Sequence, residues 1–290
     1  MARLANKLLG ILLLSSVSLF TQAASWQQTL EADAQSITKL LAFTGNGSTK
    51  VKLSSSQKVK ALLNVQIPGD MQSAKSHFDD YMQIYLKPNQ KKLTLKVGYK
   101  KGIPSSKKLA KVDVHILMPK NMYLDLRDLG GTVDISGLRK GLKVTNGEGN
   151  ILLSNNNGKI IINDRAGDIK ISGGKGKLKI NDGSGDIKIA HRQGSVAIND
   201  KSGDITILDN KGAVRLTDTS GDIALNKVRG FVKVKDGSGK LSIKNVKGNV
   251  KFKSKSGLVE LVNIDGNVTS QGHGKTTPKL SKISGKQTGI

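Results

Sequence analysis

Aspartate recurs along this 290-residue chain at intervals of 18, at Asp168, Asp186, Asp204 and Asp222, and again at Asp164, Asp182, Asp200, Asp218 and Asp236. Three blocks share the pattern Asp-x-Ser-Gly-Asp, at 182–186, 200–204 and 218–222. If the interval is one structural repeat, each series stacks into a column of carboxylates about 5 Å apart, close enough for like charges to repel. Two arrangements would relieve that repulsion. A cation such as calcium, which takes about six to eight oxygen ligands, would bridge the column. Alternatively, each aspartate caps its own turn, accepting backbone N–H groups as an Asx-turn. Lys170, Lys188 and Lys240 can neutralise the column without a metal, so no cofactor or metal ligand is assigned.

A cationic series runs at the same interval or its double: Lys143, Lys179, Arg215, Lys233 and Lys251, interrupted by Ile161, Ala197 and Thr269. The chain holds 47 Lys and Arg against 22 Asp and Glu, a formal charge of +25. A face bearing this series would attract an anionic polymer such as lipopolysaccharide, teichoic acid or an acidic polysaccharide. Lysines in such places also solvate a β surface and deter edge pairing. These five are the candidate polymer-binding residues. Nucleic acid fits less well, because single-strand binders stack bases on aromatics and aromatics are 3% of this chain. Phe231 is the outward aromatic expected within the repeat.

The reading is of a protein that is not an enzyme, with no catalytic residue. Its rivals are a polysaccharide-active β-helix enzyme on acidic glycans and a calcium-stabilised scaffold. Such an enzyme needs a groove with paired carboxylates, or a basic residue beside a cation. The repeats here are nearly uniform and none carries a long insertion. His77, His115, His191 and His273 show no ligand spacing, and no nucleophile elbow or phosphate-cradling loop occurs.

The elements that must position these residues follow from glycine. It returns at Gly131, Gly149, Gly167, Gly185, Gly203, Gly221, Gly239 and Gly257, with a second series from Gly158 to Gly266 set nine residues behind. A fixed period of this length marks a stacked repeat. Counting the first glycine as place zero, apolar residues fill places two, four, eleven and thirteen, as with Ile187, Ile189, Val196 and Ile198. Alternation with period two means a strand with one buried face. Each coil therefore holds two short strands, and coils stacked at about 4.8 Å build a continuous core. Hexapeptide β-helices, calcium-binding nonapeptide repeats and leucine-rich repeats need other spacings. The fold class is all-β: a flattened single-chain β-solenoid of 18-residue coils with an irregular β-rich N-terminal cap.

Residues 1–24 read as a signal peptide, with Arg3 and Lys7 before an apolar run from Leu8 to Phe20 and small residues at the cleavage position. No later segment is apolar enough to span a membrane, and the absence of cysteine excludes disulfides. Residues 25–130 form the cap, 131–268 the solenoid, and 269–290 a polar basic tail or loose terminal coil. Within the cap, Val59 to Ile67 alternate and stop at Pro68-Gly69-Asp70. Tyr81 to Leu86 and Leu93 to Tyr99 flank a hairpin turn, Val112 to Met118 make a strand ended by Pro119, and a short helix is predicted over Trp26 to Ala34.

The run Val112-Asp113-Val114-His115-Ile116-Leu117-Met118-Pro119, then Leu124-Asp125-Leu126 and Gly131-Thr132-Val133-Asp134-Ile135, joined to the Ser-Gly-Asp-Ile blocks at 184–187, 202–205 and 220–223, resembles the putative-adhesin family of exported bacterial β-solenoid proteins. The resemblance covers roughly residues 35–268. Asn150, Lys240 and Leu258 depart from it where the repeated aspartate would stand. It implies fold and export and carries over no catalytic residue, since the family's domain has no agreed function. The expected protein is an exported, non-enzymatic, adhesin-like binding or structural module of the cell envelope, in the periplasm, on the outer surface or secreted. Its expected partner is an anionic envelope polymer or a surface protein.

Overall fold

A computed structural model of the chain describes residues 23–274 and 277–290. The predicted signal peptide lies outside the described residues apart from Ala23 and Ala24. The chain divides into two compact units, one ending at Asp134 and one running from Ile135 to Ile290.

The first unit contains β1 (Ala23–Asp33), β2 (Lys39–Asn46), β3 (Thr49–Ser54), β4 (Lys58–Pro68), α1 (Met71–Tyr81), β5 (Met82–Asn89), β6 (Lys92–Tyr99), β7 (Lys111–Pro119) and β8 (Tyr123–Gly130). One sheet runs β1, β4, β7, β3, with the first two pairings antiparallel and the last parallel. The other runs β5, β6, β2, β8, with an antiparallel hairpin leading into parallel pairs. Alternate residues are buried in both, such as Val59, Ala61, Leu63, Val65 and Ile67 in β4 and Leu93, Leu95 and Val97 in β6.

The helix predicted over Trp26 to Ala34 is corrected to strand β1. Trp26 to Asp33 all pair in register with β4, Trp26 opposite Val65 and Leu30 opposite Ala61. Ala24, Trp26, Gln28, Leu30 and Ala32 face the less exposed side, a period of two rather than of a helix. The helix lies later, at α1. Asp70 caps it, its carboxylate accepting the Ser73 N–H at 2.9 Å and the Ser73 hydroxyl at 2.7 Å. Phe78 on this helix packs edge-on against Trp26, ring centroids 5.3 Å apart.

In the second unit the repeat becomes two parallel sheets. On the first, Ile169, Ile187, Ile205, Ile223, Leu241 and Val259 pair in succession, each 18 residues from the last. On the second, Leu178, Val196, Val214, Val232 and Val250 do the same. The stack continues past the region of regular glycines. Strand Lys279–Ile283 pairs with Val259–Asp265, and Gln287–Thr288 pairs with Val268–Ser270, at an offset one residue longer than the repeat.

The cross-section has more inward places than the four apolar ones. At place six, Asn155, His191, Asp209, Lys227, Asn245 and Asn263 hold φ between 53° and 58°. This left-handed corner turns place seven inward, burying Asn156, Arg192, Asn210, Val228, Val246 and Ile264. Arg192, only 1% exposed, donates to the carbonyls of Asn156, Gly173 and Gly176 at 3.1–3.3 Å. It thereby ties together successive coils beside the Gly173-Gly174 corner.

The glycine period has a steric origin. A Cβ on Gly203, where φ is +131°, would stand 2.0 Å from the carbonyl oxygen of Gly185 in the preceding coil. Neither backbone can retreat without breaking the ladder that holds the coils together. Gly203→Ala is therefore expected to cost roughly 2–4 kcal/mol, measured by denaturant unfolding. A loss under about 0.5 kcal/mol, the level of an ordinary surface change, would show that the turn has slack.

Candidate anion-binding face

The structure brings all five predicted cationic residues into one column on the outer face of the second sheet. Reading across paired strands, the column is Lys143, Ile161, Lys179, Ala197, Arg215, Lys233, Lys251 and Thr269. Their neighbours at places eleven and thirteen are buried, so period two forces these side chains outward. Ala197 is the small member of the column. Above it lies a shallow groove of about 260 Å³, flanked by Lys179, Arg215 and Lys233 and edged by Asn181, Asn199 and Thr217. Its lining contains no carboxyl and no imidazole. This combination supplies positive charge and neutral hydrogen-bonding groups, with neither half of a carboxylate acid–base pair. Phe231 sits beside the column, its ring centroid 5.8 Å from the Arg215 guanidinium.

Sequence reasoning missed part of the positive surface. Lys235 and Lys253 share the second sheet with the column and pair directly, adding charge next to Lys233 and Lys251. At the corner after place seven, Lys211, Arg229 and Lys247 pair in register and are exposed. The signal was available in the sequence, since these residues follow the same interval of 18.

The two aspartate columns do different work. In the place-one column, Asn150 accepts the backbone N–H of Asp168, and Asp168, Asp186, Asp204 and Asp222 accept those of Asp186, Asp204, Asp222 and Lys240, at 2.8–3.2 Å. The expected Asx-turn is corrected here: each carboxylate reaches the next coil, not its own turn. Asn150 makes the same bond, so its departure from aspartate keeps the ladder intact. Lys188 pairs with Asp186 at 3.1 Å. That ammonium and the Asp204 N–H hold the Asp186 carboxyl below its usual range.

The place-fifteen column is buried. Asp164, Asp182, Asp200, Asp218 and Asp236 all point into the coil interior, Asp200 with 1% exposure. Here local capping does occur, with Asp200 accepting the Lys201 N–H at 2.8 Å and Asp218 the Ser220 N–H at 3.2 Å. Neutral donors close the two ends of the column: the Asn146 amide donates to Asp164 at 3.1 Å and the Ser254 hydroxyl to Asp236 at 2.9 Å. Desolvation, reinforced by the neighbouring carboxylates, pushes Asp182, Asp200 and Asp218 up to about 6. Desolvation also raises Asp164 to about 6 and raises Asp236. Among the described residues, no three His, Asp or Glu side chains converge to hold a metal ion. His191 occupies an exposed corner, its Nδ1 3.1 Å from Asp209. His115 lies in β7, its pKa lowered by burial and by Lys50 and Lys52.

The model of the Toastrack DUF4097 family matches residues 66–228, more than half of the sequence. The chain belongs to the Toastrack DUF4097 family. The Toastrack match runs from β4 through most of the regular coils, and it bears out the resemblance carried by the Ser-Gly-Asp-Ile blocks. Similar solved structures include a putative adhesin from Bacteroides fragilis NCTC 9343, 16% identical, with 91% of this chain and 95% of that one covered and a TM-score of 0.34. A putative adhesin from Parabacteroides distasonis ATCC 8503 is 13% identical, with 92% and 97% covered and a TM-score of 0.40. A putative lipid binding protein from the same strain is 14% identical, with 90% and 96% covered and a TM-score of 0.33. No curated protein matches the chain. Among the described residues, no helix is long and apolar enough to cross a membrane.

The raised carboxyls of the buried column lead us to expect a stability that depends on pH in this Toastrack chain. A carboxyl whose folded pKa is raised favours the folded state fully below its unfolded pKa, near 3.8, and loses that contribution as pH rises through about 6. The thermal midpoint is therefore expected to be higher near pH 5 than at pH 7.5. Asp200→Asn removes the charge while keeping the shape, and is expected to raise the midpoint at pH 7.5 and narrow the difference. A midpoint that falls on mild acidification, together with an Asn variant weaker at both pH values, would contradict this reading.

Proposed function

We propose that this chain is an exported, non-enzymatic β-solenoid of the bacterial cell envelope that holds an anionic polymer along the outer face of its second sheet. The observation that carries the reading is the groove above Ala197, where Lys179, Arg215 and Lys233 converge without an opposing carboxylate. In-register stacking spaces the cations at one or two strand intervals, about 4.8 or 9.6 Å. An extended polyanion lying along the stack meets several of them at once. Each contact is exposed and individually weak, but contacts made by one polymer add as linked sites do. Lys235 and Lys253 extend the positive field beyond the column, and Asn181, Asn199 and Thr217 offer hydrogen bonds to uncharged parts of the ligand.

This mechanism requires charge and regular spacing and no chemical step. Reversing Lys179, Arg215, Lys233 and Lys251 to glutamate is expected to weaken binding of a soluble acidic polysaccharide by more than about tenfold, with the wild-type affinity falling steeply as salt rises. Circular dichroism and thermal midpoint should be nearly unchanged, because all four side chains face solvent. Unaltered affinity in the folded quadruple variant would refute the basic-face reading. Release of reducing ends or unsaturated products from the same polysaccharide would refute the non-enzymatic one.

A further inference from the structure

A second surface, confined to the first unit, has a different composition. On the outward face of the sheet formed by β5, β6, β2 and β8, one row across the strands reads Arg127, Phe43, Lys96 and Tyr85, each directly opposite the next. Phe43 holds the Arg127 guanidinium 5.4 Å and the Lys96 ammonium 5.6 Å from its ring centroid. On the same face, Lys87 lies 5.1 Å from the Tyr85 ring and Lys39 lies 5.9 Å from that of Tyr123. The carboxylate among them, Asp125, is neutralised by Lys39 at 2.7 Å. Beyond the row the sheet floor is made of two glycines without side chains, Gly45 and Gly98, with the Lys96 side chain reaching over Gly98. Leu129, 75% exposed, borders that floor.

The geometry points to this face as a carbohydrate-binding platform for an acidic glycan, with sugar rings lying against Phe43 and Tyr85 and their anionic groups held by Arg127 and Lys96. Two features carry the assignment. The cations rest against aromatic rings, so less side-chain freedom is lost when a ligand arrives. Ring and cation alternate at one strand spacing, about 4.8 Å, which suits a ligand whose apolar ring faces and anionic groups alternate along its length. A nucleic acid strand sets bases beside its phosphates and stacks successive bases on successive rings, and here a lysine separates the two rings. A lipid surface would need a cluster of protruding apolar side chains, whereas among the described residues only Leu129 protrudes beside this row. This site is independent of the basic column in the repeats and involves none of its residues.

The test uses the chain carrying the four column reversals, so that failure here is separable from failure of the column reading. Binding is measured to hyaluronan, whose carboxylates fall on alternate sugars, with neutral dextran, poly-dT and phosphatidylglycerol vesicles as comparators. Hyaluronan is expected to bind with a component that survives about 0.5 M salt, since ring stacking is not screened as charge is. Arg127→Gln with Lys96→Gln should weaken it by about tenfold or more, and Phe43→Ala likewise. Phe43→Trp should retain binding, which guards against a folding defect in the alanine variant. No loss in the folded Gln pair, or tighter binding of poly-dT or vesicles than of hyaluronan, would overturn the assignment.

Discussion

At the turns of the repeats, successive backbones approach so closely that no side chain fits between them. A Cβ at Gly185, Gly221 or Gly239 would lie 2.0–2.2 Å from the carbonyl oxygen of the coil before. Through the regular repeats that contact holds glycine against glycine 18 residues apart, and the offset decides what a coil can present. A residue in one coil is stacked on its equivalent in the next, so an apolar place becomes a core column and a charged place becomes a charged column. The interior profits from this multiplication. The charged columns must be relieved one by one, by inter-coil N–H groups for Asp168 to Asp222 and by neutral ends and raised proton affinity for Asp164 to Asp236.

The same multiplication sets the character of the proposed binding faces. The column from Lys143 to Lys251 repeats one kind of group along a ladder, so its attraction is electrostatic, distributed and screened by salt. The row from Arg127 to Tyr85 belongs to a sheet without the 18-residue period and mixes rings with cations. Its contacts are fewer and more directional, and part of their strength lies in stacking. Two faces of such different composition would respond differently to ionic strength.

Much of this was legible in the sequence, and the failures have identifiable causes. The core places of the repeat could be read because glycine marks each turn and period two marks each strand, so every inward residue from Ile151 to Val268 at places two, four, eleven and thirteen is buried. The basic column could be read for the same reason. Place seven could not, because Arg192 and Asn210 look like solvated residues and only the left-handed corner at His191 and Asp209 turns them inward. Asp70 was legible as turn chemistry, yet a capping aspartate and a turn aspartate look alike until the following residues choose a helix. Strand β1 escaped because its exposed polar residues obscure an alternation that only its pairing with β4 enforces. For residues 269–290 the sequence left a tail and a terminal coil as alternatives, because the offset lengthens by one residue and the glycine marker shifts out of phase. The ladder through Asp168 to Asp222 was hidden because a sequence does not say which N–H a carboxylate will reach.

The most direct measurement of the central claim is lysine acetylation footprinting by mass spectrometry, with and without a saturating acidic polysaccharide. On the second sheet, Lys179, Lys233, Lys235 and Lys251 should lose reactivity when the polymer binds. Lys170 and Lys188, on the outer face of the first sheet, should keep theirs. Equal protection on both sheets, or none on the second, would contradict a polymer-binding face built from the stacked cations.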